Sequence, residues 1–268
     1  MAERDPRRRR KSFNTVAEIY MRFRRAYPAE VLAAVQVAAG LGPGMRALEI
    51  GCGTGQLSVP LAQVGVEIHA VELGAELAAI ARRRLGAYPT ASVAVAEFET
   101  WPLPPRPFDA VLCANAFHWL DVGVRVRKSA EVLRPGGTLC IVHPHHVRGG
   151  SPGFVQGTNP YYVKWGLGYD PDFQPPRPEE LRPMYPELEA DAAFACVERR
   201  RFEDMQRFTA EEYVGMLRTD SLVLGLEPAE RAGFLADIEE LIHRRYDGAV
   251  ERPMLYEVIA AKKRSAQE

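Results

Sequence analysis

Long apolar runs are missing from this sequence of 268 residues. None approaches the roughly 20 residues needed to cross a bilayer. The opening MAERDPRRRRK carries charge with no apolar stretch behind it, so no signal peptide is expected. No membrane association and a cytoplasmic location are therefore expected. Cysteine is scarce. Cys52, Cys113, Cys140 and Cys196 lie far apart, with no C-x-x-C pair, so zinc-type spacing is absent and no metal is expected. Each sits in an apolar run and reads as a buried free thiol. Charge of one sign is missing too: 34 Lys and Arg face 35 Asp and Glu, for a formal net charge of -1. Nothing global points to nucleic acid. The one basic run, Arg7 to Lys11, reads as a solvated, frayed terminus rather than a nucleic-acid arm. No internal repeat is visible.

What is present is an ordinary globular composition, 47% hydrophobic and 26% charged, with regular alternation of elements. Pro28 to Ala39 reads as a helix closed by Gly40. Arg46–Ile50, Val66–Glu72, Ser92–Ala96, Phe108–Ala114 and Gly137–His143 read as strands, the last after a Pro135-Gly136-Gly137 turn. Helices over Gln56–Val64, Ala75–Leu85 and Val124–Leu133 separate them. Near-continuous apolar strands alternating with helices mark a parallel sheet covered on both faces. After His143 the chain turns rich in Pro, Gly and aromatics. Phe154, Tyr161, Tyr162, Trp165, Tyr169 and Phe173 suit an ordered cap with an apolar pocket, or equally a satellite core. Glu179–Ala193, Ala210–Arg218 and Pro228–Tyr246 read as helices, and Ala195–Phe202 and Met254–Lys262 as the last strands.

The chemistry gathers at Ala47-Leu48-Glu49-Ile50-Gly51-Cys52-Gly53-Thr54-Gly55-Gln56. A glycine-rich loop between strand and helix lets a backbone approach a ligand closely, sometimes at positive φ. The dinucleotide fingerprint is G-x-G-x-x-G. Here the spacing is Gly51-x-Gly53-x-Gly55 with Glu49 ahead of it. Glu72 ends the next strand, where a carboxylate can accept from both ribose hydroxyls. That role would serve a nicotinamide cofactor equally. AEFETWPLP follows the third strand, FDAVLCANAFHWLD covers the fourth, and EVLRPGGTLCIVH the fifth.

E-x-G-x-G-x-G and these segments resemble the class I S-adenosylmethionine-dependent methyltransferases over residues 13–146. FTAEEYVGMLRTDS and YDGAVERPMLYEVIAAKKR look like the methyltransferase type 11, trans-aconitate methyltransferase-like subgroup. The resemblance implies a Rossmann-like α/β fold. Its mostly parallel seven-stranded sheet, in order 3-2-1-4-5-7-6, is sandwiched by helices and carries a helical and aromatic lid. It also implies S-adenosyl-L-methionine as cofactor. Glu49, Gly51, Cys52, Gly53, Gly55 and Gln56 would wrap the amino-acid end, and Glu72 and Leu73 the ribose. Glu97 would contact the adenine amino group, with Glu99 as its competitor and Phe98 as an apolar wall. Asn115, Ala116 and Phe117 would close the crevice. The implied organisation is an N-terminal closing segment (1–28), a cofactor-binding core (29–146), a cap (147–195) and a C-terminal completion of the sheet (196–268).

Cofactor and acceptor meet outside the carboxyl ends of the strands. His118 and Trp119 belong there. His118 is the candidate base, since a histidine can exchange a proton near neutral pH. Simple packing by His118 and Trp119 is the alternative. Tyr20 and Tyr27 can close over the sulfonium end or merely anchor their helix. His143 and His145 leave the fifth strand at the same rim and can contact an acceptor as bases. No N-P-P-Y-like tetrad follows the fourth strand, which argues against flipped-base or amide methylation. The expected partner is a small-molecule methyl acceptor. Two other readings stay open: an NAD(P)-binding oxidoreductase, and a non-catalytic cofactor-binding scaffold.

Overall fold

A computed structural model describes residues 6–168 and 170–265. Tyr169, among the cap aromatics, lies outside the described residues. The chain builds α1 (Pro6–Ser12), α2 (Ala17–Phe23), α3 (Ala29–Ala39), β1 (Arg46–Ile50), α4 (Ser58–Gln63), β2 (Glu67–Glu72), α5 (Ala75–Leu85), β3 (Ser92–Val95), β4 (Phe108–Ala114) and α6 (Val122–Val132). β5 (Leu133–His146), α7 (Phe154–Lys164), α8 (Glu187–Ala190), β6 (Phe194–Thr209), α9 (Ala210–Leu217), α10 (Pro228–Tyr246) and β7 (Ala249–Lys263) follow. The seven strands form one sheet in the order β3-β2-β1-β4-β5-β7-β6, as the resemblance implied. β1 pairs parallel with β2 (Glu49 beside Ala70) and with β4 (Glu49 beside Leu112). The pairs β2–β3 and β4–β5 are parallel as well.

Local chemistry explains the boundaries. Pro28 stands at φ -55° ahead of α3, and Gly40 turns left-handed at φ +60° to end it, which costs glycine little. Thr209 and Glu212 form a reciprocal capping box at α9. Pro228 opens α10, whose limits are those read from the sequence.

Several expectations need correction. Pro135, Gly136 and Gly137 do not precede β5 but lie inside it. The ladder jumps from Phe108 beside Leu133 to Ala110 beside Thr138, so the turn residues are an irregularity within a longer strand. A Cβ on Gly137 would stand 2.9 Å from the Asp109 carbonyl oxygen, which is why that position is bare. The helix expected over Glu179–Ala193 shrinks to one 3-10 turn (Pro178–Glu180) and the single turn of α8. Pro183 and Pro186 remove the donors a continuous helix would need. Cys196 is exposed, whereas the other three cysteines are buried. It sits on β6, the edge of the sheet, where side chains are less covered. The basic run falls within α1, and Arg9 donates to Ser221 Oγ at 2.8 Å, so it is anchored rather than frayed.

The described chain divides into two compact units. One holds residues 25–144, 183–202 and 256–268. Its core joins Leu48, Ile50, Phe108, Val111, Phe117, Ile141, Leu188 and Ile259. The other holds residues 1–24, 145–182 and 203–255, with a core of Phe154, Tyr213, Phe234, Ile238 and Ile242. Tyr161, Tyr162 and Trp165 pack against that second core, so these cap aromatics fill a satellite core.

Candidate active site

The glycine loop leaves β1 at the carboxyl edge of the sheet. Gly51, Gly53 and Gly55 stand at φ +68°, +57° and +86°, the left-handed region that favours glycine. At Gly51 a Cβ would also lie 2.7 Å from the Ala116 Cβ. The residue is therefore bare for two reasons, and Ala116 at the end of β4 closes against it. The Arg84 guanidinium reaches from α5 to the Thr54 carbonyl oxygen at 2.7 Å and holds the loop down.

Glu72 ties the loop to the next turn. Its Oε2 accepts from the Gly53 amide at 2.9 Å and its Oε1 from the Gly74 amide at 2.8 Å. Each carboxylate oxygen has a second lone pair, so this geometry aims an anchored acid at the cleft side of β2. Leu73 beside it is half-buried. Glu49 is deeper, 1% exposed on β1, and accepts a hydrogen bond from the Ser58 hydroxyl on α4. Burial pushes its carboxyl up to about 7, the Ser58 bond opposes this, and the negative Glu72 adds to the rise. Cys52 is buried in the same loop, where desolvation lifts its thiol well above the usual range. Gln56 is half-buried.

Beyond β3, Glu97 is exposed, while Phe98 is buried with the Lys128 ammonium 5.4 Å from its ring centre. Glu99 accepts from the Asp121 amide at 3.1 Å, an interaction that occupies it structurally. At the end of β4, Asn115 stands at φ +54° and its amide donates to the Val142 carbonyl oxygen at 2.8 Å. Phe117 is fully buried and His118 exposed on the short 3-10 turn that follows. The His118 ring lies 4.9 Å from Trp119 and meets His143 edge-on at 5.6 Å.

The sequence therefore brings together Glu49, the glycines, Glu72, Phe98 and the residues from Asn115 to Trp119, with His143. Tyr27 belongs to the same unit and packs edge-on against Tyr256 at 5.9 Å. Tyr20 and His145 lie in the other unit. Tyr20 packs against Phe13 at 6.2 Å and under the Arg24 guanidinium at 5.4 Å, and His145 is buried. Sequence reading missed Ser58, Arg84, Tyr185 and Arg125. Ser58 opens α4, nine residues after Glu49 and beyond the glycine loop. Tyr185 has no motif that could have announced it. Among the described residues no group of three His, Cys, Asp or Glu side chains could hold a metal ion. Among them, too, no helix is long and apolar enough to cross a membrane.

Strand order, positive-φ glycine loop and an acid ending β2 define a class I nucleotide-binding α/β fold of the methyltransferase type. Residues 48–141 match the family described as Methyltransferase domain, and this part of the chain is a class I S-adenosylmethionine-dependent methyltransferase domain. An uncharacterised methyltransferase of Mycobacterium tuberculosis is 35% identical over 131 residues, 49% of this chain and 51% of that protein. The chain thus spans about half the length of the curated relatives it matches first. A solved structure described as a type II methyltransferase from Anaeromyxobacter dehalogenans superposes with a TM-score of 0.60 at 25% identity, covering 90% of this chain and 98% of that one. A methyltransferase from Geobacter sulfurreducens, solved with S-adenosylhomocysteine, superposes with a TM-score of 0.56 at 17% identity, covering 94% and 98%. S-adenosylmethionine is the cofactor of this domain, and the bare glycine cradle beside two acids fits it.

Proposed function

We propose that the whole protein transfers a methyl group from S-adenosylmethionine to an oxygen, nitrogen or carbon of a small molecule. The observation that carries this is Glu72, held at the end of β2 by the Gly53 and Gly74 amides, where a carboxylate can accept from ribose hydroxyls. Bound there, the cofactor supplies a sulfonium-activated methyl group.

The remaining roles belong to the chain. Gly51, Cys52, Gly53, Gly55 and Gln56 surround the amino-acid end, and Glu49 adds negative potential beneath it. Leu73 lies beside the ribose. Glu97 receives the adenine amino group, since Glu99 is engaged by Asp121, and Phe98 forms the wall. Asn115, Ala116 and Phe117 line the cleft between loop and acceptor. His118, exposed at the rim, takes the acceptor's proton or orients its nucleophile. Trp119, His143 and Tyr27, which share the unit that holds the glycine loop, are assigned to the acceptor side. Transfer depends mainly on holding the acceptor in line behind the methyl carbon in a site that excludes water.

Isothermal titration with S-adenosylmethionine and with NAD tests the ligand. Binding of the first alone is expected. Glu72→Ala should weaken it by about 100-fold, because at least one hydrogen bond to a charged group is lost. Glu72→Gln, which keeps the shape, should weaken it less. Binding of NAD alone, or unchanged affinity in Glu72→Ala, would overturn the assignment. Release of labelled methyl to a panel of phenols, amines and carboxylic acids reads the activity. His118→Gln is expected to keep cofactor affinity and slow transfer.

A further inference from the structure

The segment after α7 returns a side chain to the rim that no motif announces. Tyr185 stands at φ +56°, a conformation a bulky residue enters at a cost of about 1–3 kcal/mol. Surrounding contacts hold it there. The residue is 4% exposed. Its ring meets Phe117 edge-on at 5.0 Å, and the Arg125 guanidinium lies 5.0 Å from its centre. Arg125 is itself fixed by Glu187 and by the Phe117 carbonyl oxygen. This packing presents the Tyr185 hydroxyl to His143 Nδ1 at 2.9 Å, and the His143 ring in turn meets His118.

A phenylalanine would fill the same space, so the hydroxyl needs its own reason. Nδ1 of His143 is its one hydrogen-bond partner among the described residues. Burial makes the phenol harder to ionise, so it keeps its hydrogen. A buried O–H that failed to donate would forfeit about 1–3 kcal/mol. The hydroxyl therefore donates, Nδ1 accepts, and the neutral ring carries its hydrogen on Nε2.

We propose that Tyr185 is a positioning residue for methyl transfer: it locks His143 in the Nε2–H tautomer, so that His143 meets the acceptor as a hydrogen-bond donor and not as a base. The acceptor atom facing His143 is then an oxygen or nitrogen with a lone pair to offer. Removal of any proton falls to His118, or the acceptor arrives already ionised. This rests on the methyltransferase reading for its purpose, and on the Tyr185–His143 contact alone for its chemistry.

Long-range proton–nitrogen correlation on ¹⁵N-histidine-labelled full-length protein tests it, with and without S-adenosylhomocysteine. His143→Gln identifies the His143 signals among those of the six histidines. The wild type should show a single Nε2–H tautomer at His143. Tyr185→Phe should show a mixture, keep S-adenosylmethionine affinity within about twofold, and lower kcat by about tenfold with the panel acceptor that the wild type uses best. An Nδ1–H tautomer in the wild type, a tautomer unchanged in Tyr185→Phe, or a changed tautomer with unchanged kcat would each overturn the proposal. Failure of the wild type to bind S-adenosylmethionine would sink the methyltransferase reading instead and leave the tautomer measurement standing.

Discussion

Glu49 is an acid placed where an ion is costly. It lies under the loop, 1% exposed, where the Ser58 hydroxyl offsets part of its desolvation and the Glu72 charge adds to the cost. Its carboxyl is raised from 4.5 to about 7. The sign follows from linkage. The unfolded chain ionises Glu49 near 4.5 and the folded one near 7, so the folded state holds the proton in between. Its contribution to stability is full below pH 4.5 and is lost as the pH rises through 7. A cofactor bearing a sulfonium and an ammonium favours the ionised acid. Cofactor binding at pH 6–7 should therefore release a fraction of a proton, and Glu49→Gln should abolish the release. Titration calorimetry in buffers of different ionisation enthalpy measures this directly. An identical binding enthalpy in all buffers for the wild type at pH 6.5 would show that Glu49 stays as it is.

At the scale of elements, β1 to β4 were legible because each is a short run of 4 to 7 residues in the strand–helix alternation, whereas β5 was read only from Gly137 onward, past the Pro-Gly-Gly irregularity it contains. The far edge was harder. β6 runs 16 residues and β7 runs 15, well past their apolar cores, because hydrogen bonding continues where the side chains turn charged. Arg199, Arg201 and Glu257 show the consequence. Glu257 is fully buried on β7, 3.0 Å from Arg201 Nε and 4.0 Å from an Arg199 guanidinium nitrogen. No sequence pattern marks Glu257 as interior, since its pairing joins strands more than 50 residues apart. The site divides the same way. Glu49, Gly51, Gly53, Gly55 and Glu72 follow local spacing and could be read. Tyr185 and Arg125 depend on tertiary return and could not. Removing one partner of a buried pair strands the other. Arg201 is one-third exposed and can partly rehydrate, so Glu257→Ala should cost about 2–4 kcal/mol, read as a lower urea midpoint with cofactor affinity unchanged. Glu240→Ala, which breaks a pair with both side chains mostly exposed, should cost under about 0.5 kcal/mol. Equal midpoints for the two variants would refute the burial argument.

For the whole molecule, the two units have separate apolar cores, yet neither is an unbroken stretch of chain. β5 passes from one unit to the other between Pro144 and His145, β6 between Phe202 and Glu203, and β7 between Leu255 and Tyr256. These three crossings fall inside strands rather than in linkers of the kind that separates independent domains, while the other two, after Arg24 and after Arg182, fall in loops. Each of these three strands contributes residues to both units, so a single cooperative transition is expected. The proposed cofactor residues Glu49 to Phe117 all lie in one unit, and S-adenosylmethionine at 100 times its Kd stabilises whatever unfolds together with that unit by about 2.7 kcal/mol. Hydrogen exchange read by mass spectrometry across a denaturant series separates the two cases. Peptides from α10, in the unit without the glycine loop, should shift their unfolding midpoint with the cofactor as much as peptides from β1 and β4 do. A shift confined to β1 and β4 would mean that the shared strands do not make the units unfold together, and that α10 and its core unfold on their own.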